Sequence, residues 1–283
     1  CFCFIKSRVS KPERPGIFSS KNTTSKKFSS NISMMFREYK FLDRFEKAKS
    51  CGFDGIEIQF PYKFSINDLN TAKMNNGLEI SVLNIDAGDL VEGGPGIAAI
   101  PNREDQFKMA VAQAVEYAAI LQPMSMNILP GWPSMELYNR QQCLNTLANN
   151  LHYAGDALAQ VGVKVLVEAV NTLERPGFLI SSSSEAIEVL NLANHKNLFL
   201  QYDIYHMQIM EGNLVGRMEN IIDRIGHIQF ADNPGRNEPG TGEINFDFVF
   251  KRLDEMGWNG WLGAEYIPSK KTEDTLQWLK PFL

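Results

Sequence analysis

The chain has 283 residues, 44% hydrophobic and 22% charged, ordinary values for a globular protein that buries a full core. A net charge of −5 leaves no electrostatic footprint for nucleic acid or an acidic membrane, so a small molecule is the expected partner. No uninterrupted apolar run approaches the roughly 18 residues that cross a bilayer.

Residues 1–28 come first and differ from the rest. They are rich in Lys, Arg and Ser, with Glu13 the only acid, and they lack helical or strand periodicity. They are expected to be a disordered N-terminal extension, with a composition a transit peptide shares, ahead of one domain over 29–283. Cys1, Cys3, Cys51 and Cys143 form no CxxC pair, which points to reduced thiols in a cytoplasmic protein.

From Asn31 onward, short β-branched runs alternate with longer amphipathic ones. The predicted strands are 31–36, 55–60, 78–84, 124–129, 163–169, 198–203, 227–231 and 261–266. Between them, 38–50, 103–121 and 135–160 read as helices. SSSSEAIEVLNLAN (181–194) opens with serine caps and an acid in its first turn. FDFVFKRLDEMG closes on Gly257, and TEDTLQWLK ends the helical pattern. Eight strands alternating with helices over about 250 residues predict an α/β fold, a single-domain (β/α)₈ TIM barrel. The rival, a doubly wound open sheet, usually carries GxGxxG after its first strand, and that motif is absent.

Barrel chemistry sits at the C-terminal strand ends. There the chain has Glu168, Asp203, Gln229 and Glu265, about one β/α unit apart, so the four converge on one mouth. Three carboxylates held together raise one another's pKa unless a cation neutralises them. An all-oxygen set suits Mg²⁺ or Mn²⁺ better than zinc. Alternation along GIEIQF turns Glu57 and Gln59 inward, with Glu57 read as structural. His227 lies in phase with Gln229 one layer lower and reads as a packed structural histidine. The glycines of PGTGE are a loop signal, since no helix start with P-loop spacing follows.

VEAVNTLERPGF, QYDIYHMQIMEGN, GHIQFADNPGRNEPGTGEINF and GWLGAEY, with SMMF, FPY and NIDAGD before them, resemble the hydroxypyruvate isomerase family. That family belongs to the xylose-isomerase-like barrels, alongside the ketose 3-epimerases. The similarity spans nearly all of 29–283 and includes a Gly/Pro-rich, lid-like segment up to Pro101.

The resemblance implies a divalent metal, Mg²⁺ or Mn²⁺, on Glu168, Asp203, Gln229 and Glu265, with Glu168 and Glu265 doubling as the acid/base pair. It implies a 2-oxo acid substrate, hydroxypyruvate, interconverted with tartronate semialdehyde (2-hydroxy-3-oxopropanoate) through an enediolate. His206, in the loop leaving the sixth strand, is implied to touch a substrate oxygen. Arg236, in the loop after the seventh strand, is placed to grip a carboxylate with its two-pronged guanidinium, and the epimerases also have an Arg in that loop; Glu174 corresponds to a substrate-binding acid of the epimerases, or else pairs with Arg175 at the surface. The epimerases have a His where this chain has Gln229, which the hydroxypyruvate isomerases share. A homodimer is an expectation at family level. The alternatives are isomerisation of 2-oxo-tetronate or a ketose 3-epimerase. Further off are an abasic-site endonuclease, which needs more than the four histidines present, and a non-catalytic barrel.

Overall fold

The computed structural model describes residues 26–283. Eight parallel strands close into a barrel in sequence order: β1 Lys27–Asn31, β2 Gly55–Ile58, β3 Glu79–Asn84, β4 Ser125–Ile128, β5 Lys164–Glu168, β6 Leu198–Asp203, β7 Ile225–Phe230 and β8 Trp261–Ala264, with β8 pairing β1. The helices are α1 Asp43–Ser50, α2 Ile66–Asn76, α3 Glu104–Leu121, α4 Arg140–Ala159, α5 Ser183–Ala193, α6 Ile204–Met210, α7 Leu214–Ile221 and α8 Phe246–Glu255. A 3₁₀ segment, Thr272–Phe282, ends the chain.

Local sequence explains the helix boundaries. Asn139 caps α4 in a reciprocal capping box with Gln142, and Ser182 caps α5 by accepting from Glu185 N. Gly257, two residues past α8, takes φ +79°, the left-handed conformation glycine adopts without strain. The helices bury apolar stripes such as Leu147, Leu151, Ala154 and Leu158 of α4 against the barrel wall.

The first strand differs from the expectation. KFSSN is β1, whereas the predicted run NISMMF leaves the sheet after Asn31 and turns, with Phe36 at φ +57°. Ile32, Met35 and Phe36 are apolar because they pack beneath that turn, all fully buried. The serines of β1 hid its strand character because Ser29 faces the barrel interior and bonds Glu57 and Ser81. Two residues of the expected extension therefore belong to the barrel, and Phe28 packs edge-on against Phe230, Phe250 and Trp278. Residues 1–25 of that extension, with Cys1 and Cys3, lie outside the described residues. Cys51 and Cys143 are free thiols, both pushed up by burial. No helix among the described residues is long and apolar enough to cross a membrane.

Candidate active site

Strand register sets the height of each polar side chain. Glu168 pairs with Gln201 across β5 and β6, Asp203 with Gln229 across β6 and β7, and Gln229 with Gly263 across β7 and β8. Glu265 follows β8, two residues beyond Gly263, so alternation returns it to the same face one level higher. Glu168, Asp203, Gln229 and Glu265 are all buried at this end of the barrel.

The carboxylates crowd. Burial pushes Glu168 well above the ordinary carboxylate range, and the charges of Glu265 and Asp203 push it further. Burial also raises Asp203, against Arg236 and the backbone N–H of Tyr205. Glu265 is pushed up to about 7, by burial first, with Arg236 opposing and Asp203 and Glu57 adding. Arg236, in the loop after β7, reaches into this cluster. Its Nη2 lies 2.6 Å from Glu265 Oε2 and 3.5 Å from Asp203 Oδ2, and its guanidinium lies over the Tyr205 ring.

One ligand atom each from Glu168, Asp203 and His206 lies within 4.8 Å of the others. His206 sits in the first turn of α6, since Asp203 Oδ1 accepts from Tyr205 N and starts a helix where a loop is expected. Its tautomer follows from its neighbours. Asn171 Oδ1 accepts from Glu174 N, so the Asn171 amide NH₂ faces His206 Nδ1, 2.8 Å away. Burial, and then the Arg236 charge, hold His206 well below its ordinary pKa and therefore neutral. A neutral imidazole accepting at Nδ1 carries its proton on Nε2, which points at Glu168 Oε1 (3.7 Å) and Asp203 Oδ2 (3.5 Å). His206 is thus a hydrogen-bond donor toward the cavity.

Oxygens supply the donor set that remains. The Gln229 amide is oriented by donating to Glu57 Oε2 at 2.7 Å, which leaves its Oε1 toward the carboxylate side, where Gln201 Nε2 donates to it. Gln201 Oε1 and Asn127 Oδ1 are buried without a hydrogen-bond partner among the described residues. Three mutually repelling carboxylates, an amide oxygen and unpartnered buried oxygens fit a hard divalent cation.

A carboxamide belt holds these groups, and of its members only Gln59 was expected to face inward. Glu168 Oε2 accepts from Asn127 (2.7 Å) and Gln201 (2.9 Å), and Glu265 Oε1 accepts from Asn31 (2.7 Å) and Gln59 (3.1 Å). The signal was present in part, since Gln201 lies two residues before Asp203 and alternation turns both inward. Glu57 and His227 form a fully buried pair at 2.6 Å, one layer below. Burial drives Glu57 up, but His227 and the donors Gln229 and Ser29 bring it below its ordinary value. Gly263 is required beside this pair, because a Cβ there would come 1.8 Å from Glu57 Oε1.

Above the belt lies a cavity of about 340 Å³ lined by Glu168, Glu265, His206 and Arg236. Phe60, Trp132 and Phe178 form apolar wall, and Leu90 and Val91 come from the Gly/Pro-rich segment expected to act as a lid. Glu174 also faces it, bonded to Tyr205 Oη at 2.5 Å and Asn171, both of which lower its pKa against the effect of partial burial. The structure therefore brings together every residue singled out from the sequence: Glu168, Glu174, Asp203, His206, Gln229, Arg236 and Glu265.

Residues 45–282 match the family model described as xylose isomerase-like TIM barrel. The hydroxypyruvate isomerase of Escherichia coli is 44% identical over 256 residues, 90% of this chain and 99% of that one. A 2-oxo-tetronate isomerase of Pectobacterium atrosepticum is 38% identical over 91% of this chain and 98% of its own. A crystal structure described as an AP endonuclease, family 2, from Brucella melitensis superposes with a TM-score of 0.87 at 38% identity, covering 90% of this chain and 98% of that one. A D-psicose 3-epimerase from Clostridium cellulolyticum, at 19% identity and a TM-score of 0.72, shares the fold. The chain belongs to the hydroxypyruvate isomerase family of the xylose isomerase-like TIM barrels.

Proposed function

We propose that the chain is an isomerase of hydroxypyruvate, interconverting it with tartronate semialdehyde. One observation carries the chemistry: Glu168 and Glu265, from strands three apart, face one cavity with both carboxyls raised. Burial and crowding disfavour ionisation of both carboxyls at once, and a two-base proton transfer uses one ionised and one protonated member.

The substrate has a CH₂OH beside a ketone and a carboxylate. The ionised glutamate removes a proton from C3, and the electron pair forms the C2–C3 double bond of an enediolate. The protonated glutamate delivers a proton to C2 from the other side, while the C3 hydroxyl proton passes to the C2 oxygen, which leaves an aldehyde at C3 and a hydroxyl at C2. His206 Nε2–H and Arg236 offer donors to the substrate oxygens where negative charge develops. Glu174 holds the Tyr205 hydroxyl beneath Arg236 and shapes the same wall. A divalent cation held by Glu168, Asp203, Gln229 and Glu265, Mg²⁺ or Mn²⁺ by the hardness of the donors, would supply Lewis-acid polarisation of the carbonyl.

The test is turnover of hydroxypyruvate and of 2-oxo-tetronate by the purified protein, before and after chelation and after Mg²⁺ or Mn²⁺ is restored. Turnover of hydroxypyruvate that chelation abolishes and the cation restores is expected. Glu168→Gln and Glu265→Gln should each lower kcat by about 10²–10⁴-fold. A preference for 2-oxo-tetronate would reassign the substrate within the family, and an active double variant would defeat the two-glutamate mechanism.

A further inference from the structure

Charge at the cavity does not balance for an acidic substrate if only the residues named so far are counted. Glu168, Glu174 and Glu265 line the cavity, and Asp203 lies behind them against His206 and Arg236. With one of Glu168 and Glu265 protonated, a divalent cation and the Arg236 guanidinium offset the three negative charges that remain and leave no positive charge over. The Nη2 of Arg236 is already held by Glu265 at 2.6 Å. The Glu57–His227 pair is buried in the layer below. A neutral ketose could enter such a site, whereas a 2-oxo acid brings a negative charge that no cation named above is left to receive.

Arg175 is the second arginine of the cavity. It lines the same cavity and is exposed. Of the two arginines that line the cavity, Arg236 has carboxylates within 4.0 Å and Arg175 has none among the described residues. Its neighbour Glu174, its obvious ion-pair partner, is turned away onto Tyr205 and Asn171. The backbone beneath it is fixed. Arg175 N bonds Asn171 O, Phe178 N bonds Arg175 O, and Phe178 packs on Trp132 in the cavity wall. A pinned backbone carrying a free guanidinium at the rim suits capture of a carboxylate by a two-pronged hydrogen bond.

We infer that Arg175, on the loop after β5, receives the carboxylate of the 2-oxo acid and sets the preference for an acid over a neutral ketose. The inference rests on the 2-oxo acid reading above and names the residue that enforces it. The experiment compares wild type, Arg175→Gln and Arg175→Lys, with Mn²⁺ present. Turnover is measured on hydroxypyruvate and on dihydroxyacetone, which replaces the carboxylate by CH₂OH. Hydroxypyruvate binding is followed separately by calorimetry.

Arg175→Gln should raise KM and the dissociation constant for hydroxypyruvate by about tenfold or more, the loss of a charge-assisted hydrogen bond, with kcat within about threefold. Its KM for dihydroxyacetone should be unchanged, and Arg175→Lys should recover part of the hydroxypyruvate affinity. Unchanged hydroxypyruvate affinity in Arg175→Gln, or equal losses on both ligands, overturns the inference. If wild type binds hydroxypyruvate in an Arg175-dependent way yet does not isomerise it, the inference stands and the proposed activity fails.

Discussion

Replacing Glu265 by Gln in the chelated protein isolates the electrostatic strain of the site. In the fold this carboxyl is pushed from 4.5 up to about 7. A raised carboxyl favours the protonated folded state. Its contribution is fully present below the unfolded value and is lost as pH rises through about 7. At about 1.4 kcal/mol per pH unit, the wild type loses on the order of 3 kcal/mol across that window. Gln cannot ionise, so the variant's stability curve should be flatter by that amount, roughly 6–12 °C in Tm for a domain of this size. The assay is thermal unfolding followed by tryptophan fluorescence from pH 4.5 to 8.5, with chelator, for both proteins. Mg²⁺ or Mn²⁺ should then restore the wild type at high pH, because a cation favours the ionised carboxylates. Parallel pH curves for wild type and variant would refute the charge-crowding argument.

Two other substitutions probe the supports of the site. His206→Asn should lower kcat by about tenfold or more while leaving Mn²⁺ affinity, read by calorimetry, within about threefold, because its Nε2 carries a proton; a matched fall in Mn²⁺ affinity would make it a ligand instead. Gly263→Ala should cost about 1–3 kcal/mol in thermal or chemical unfolding, because its Cβ collides with the Glu57 carboxylate; a wild-type midpoint would mean that the buried pair shifts aside freely.

Residues at strand ends were legible in the sequence because alternation and β/α spacing alone place Glu168, Asp203, Gln229 and Glu265 at one mouth. What stayed hidden depends on neighbours distant in sequence. Ser29 and Asn31 look like loop residues until Glu57 and Glu265 stand opposite them. Asn127 and Gln201 look like ordinary strand polars until Glu168 is placed between them. NISMMF reads as a strand because it is apolar, yet its burial comes from a turn with Phe36 at positive φ. Neither the tautomer of His206 nor the free rim guanidinium of Arg175 has a local pattern, since both follow from where Asn171 and Glu174 direct their side chains.

In the mechanism proposed, two glutamates on opposite sides of the substrate move the proton, so no hydrogen passes directly from C3 to C2. Isomerisation of hydroxypyruvate by the Mn²⁺- or Mg²⁺-restored protein in D₂O, read at early times by proton NMR, tests this. The two-glutamate account predicts that C2 of the tartronate semialdehyde formed carries deuterium from solvent. Protium carried from C3 to C2 would contradict it.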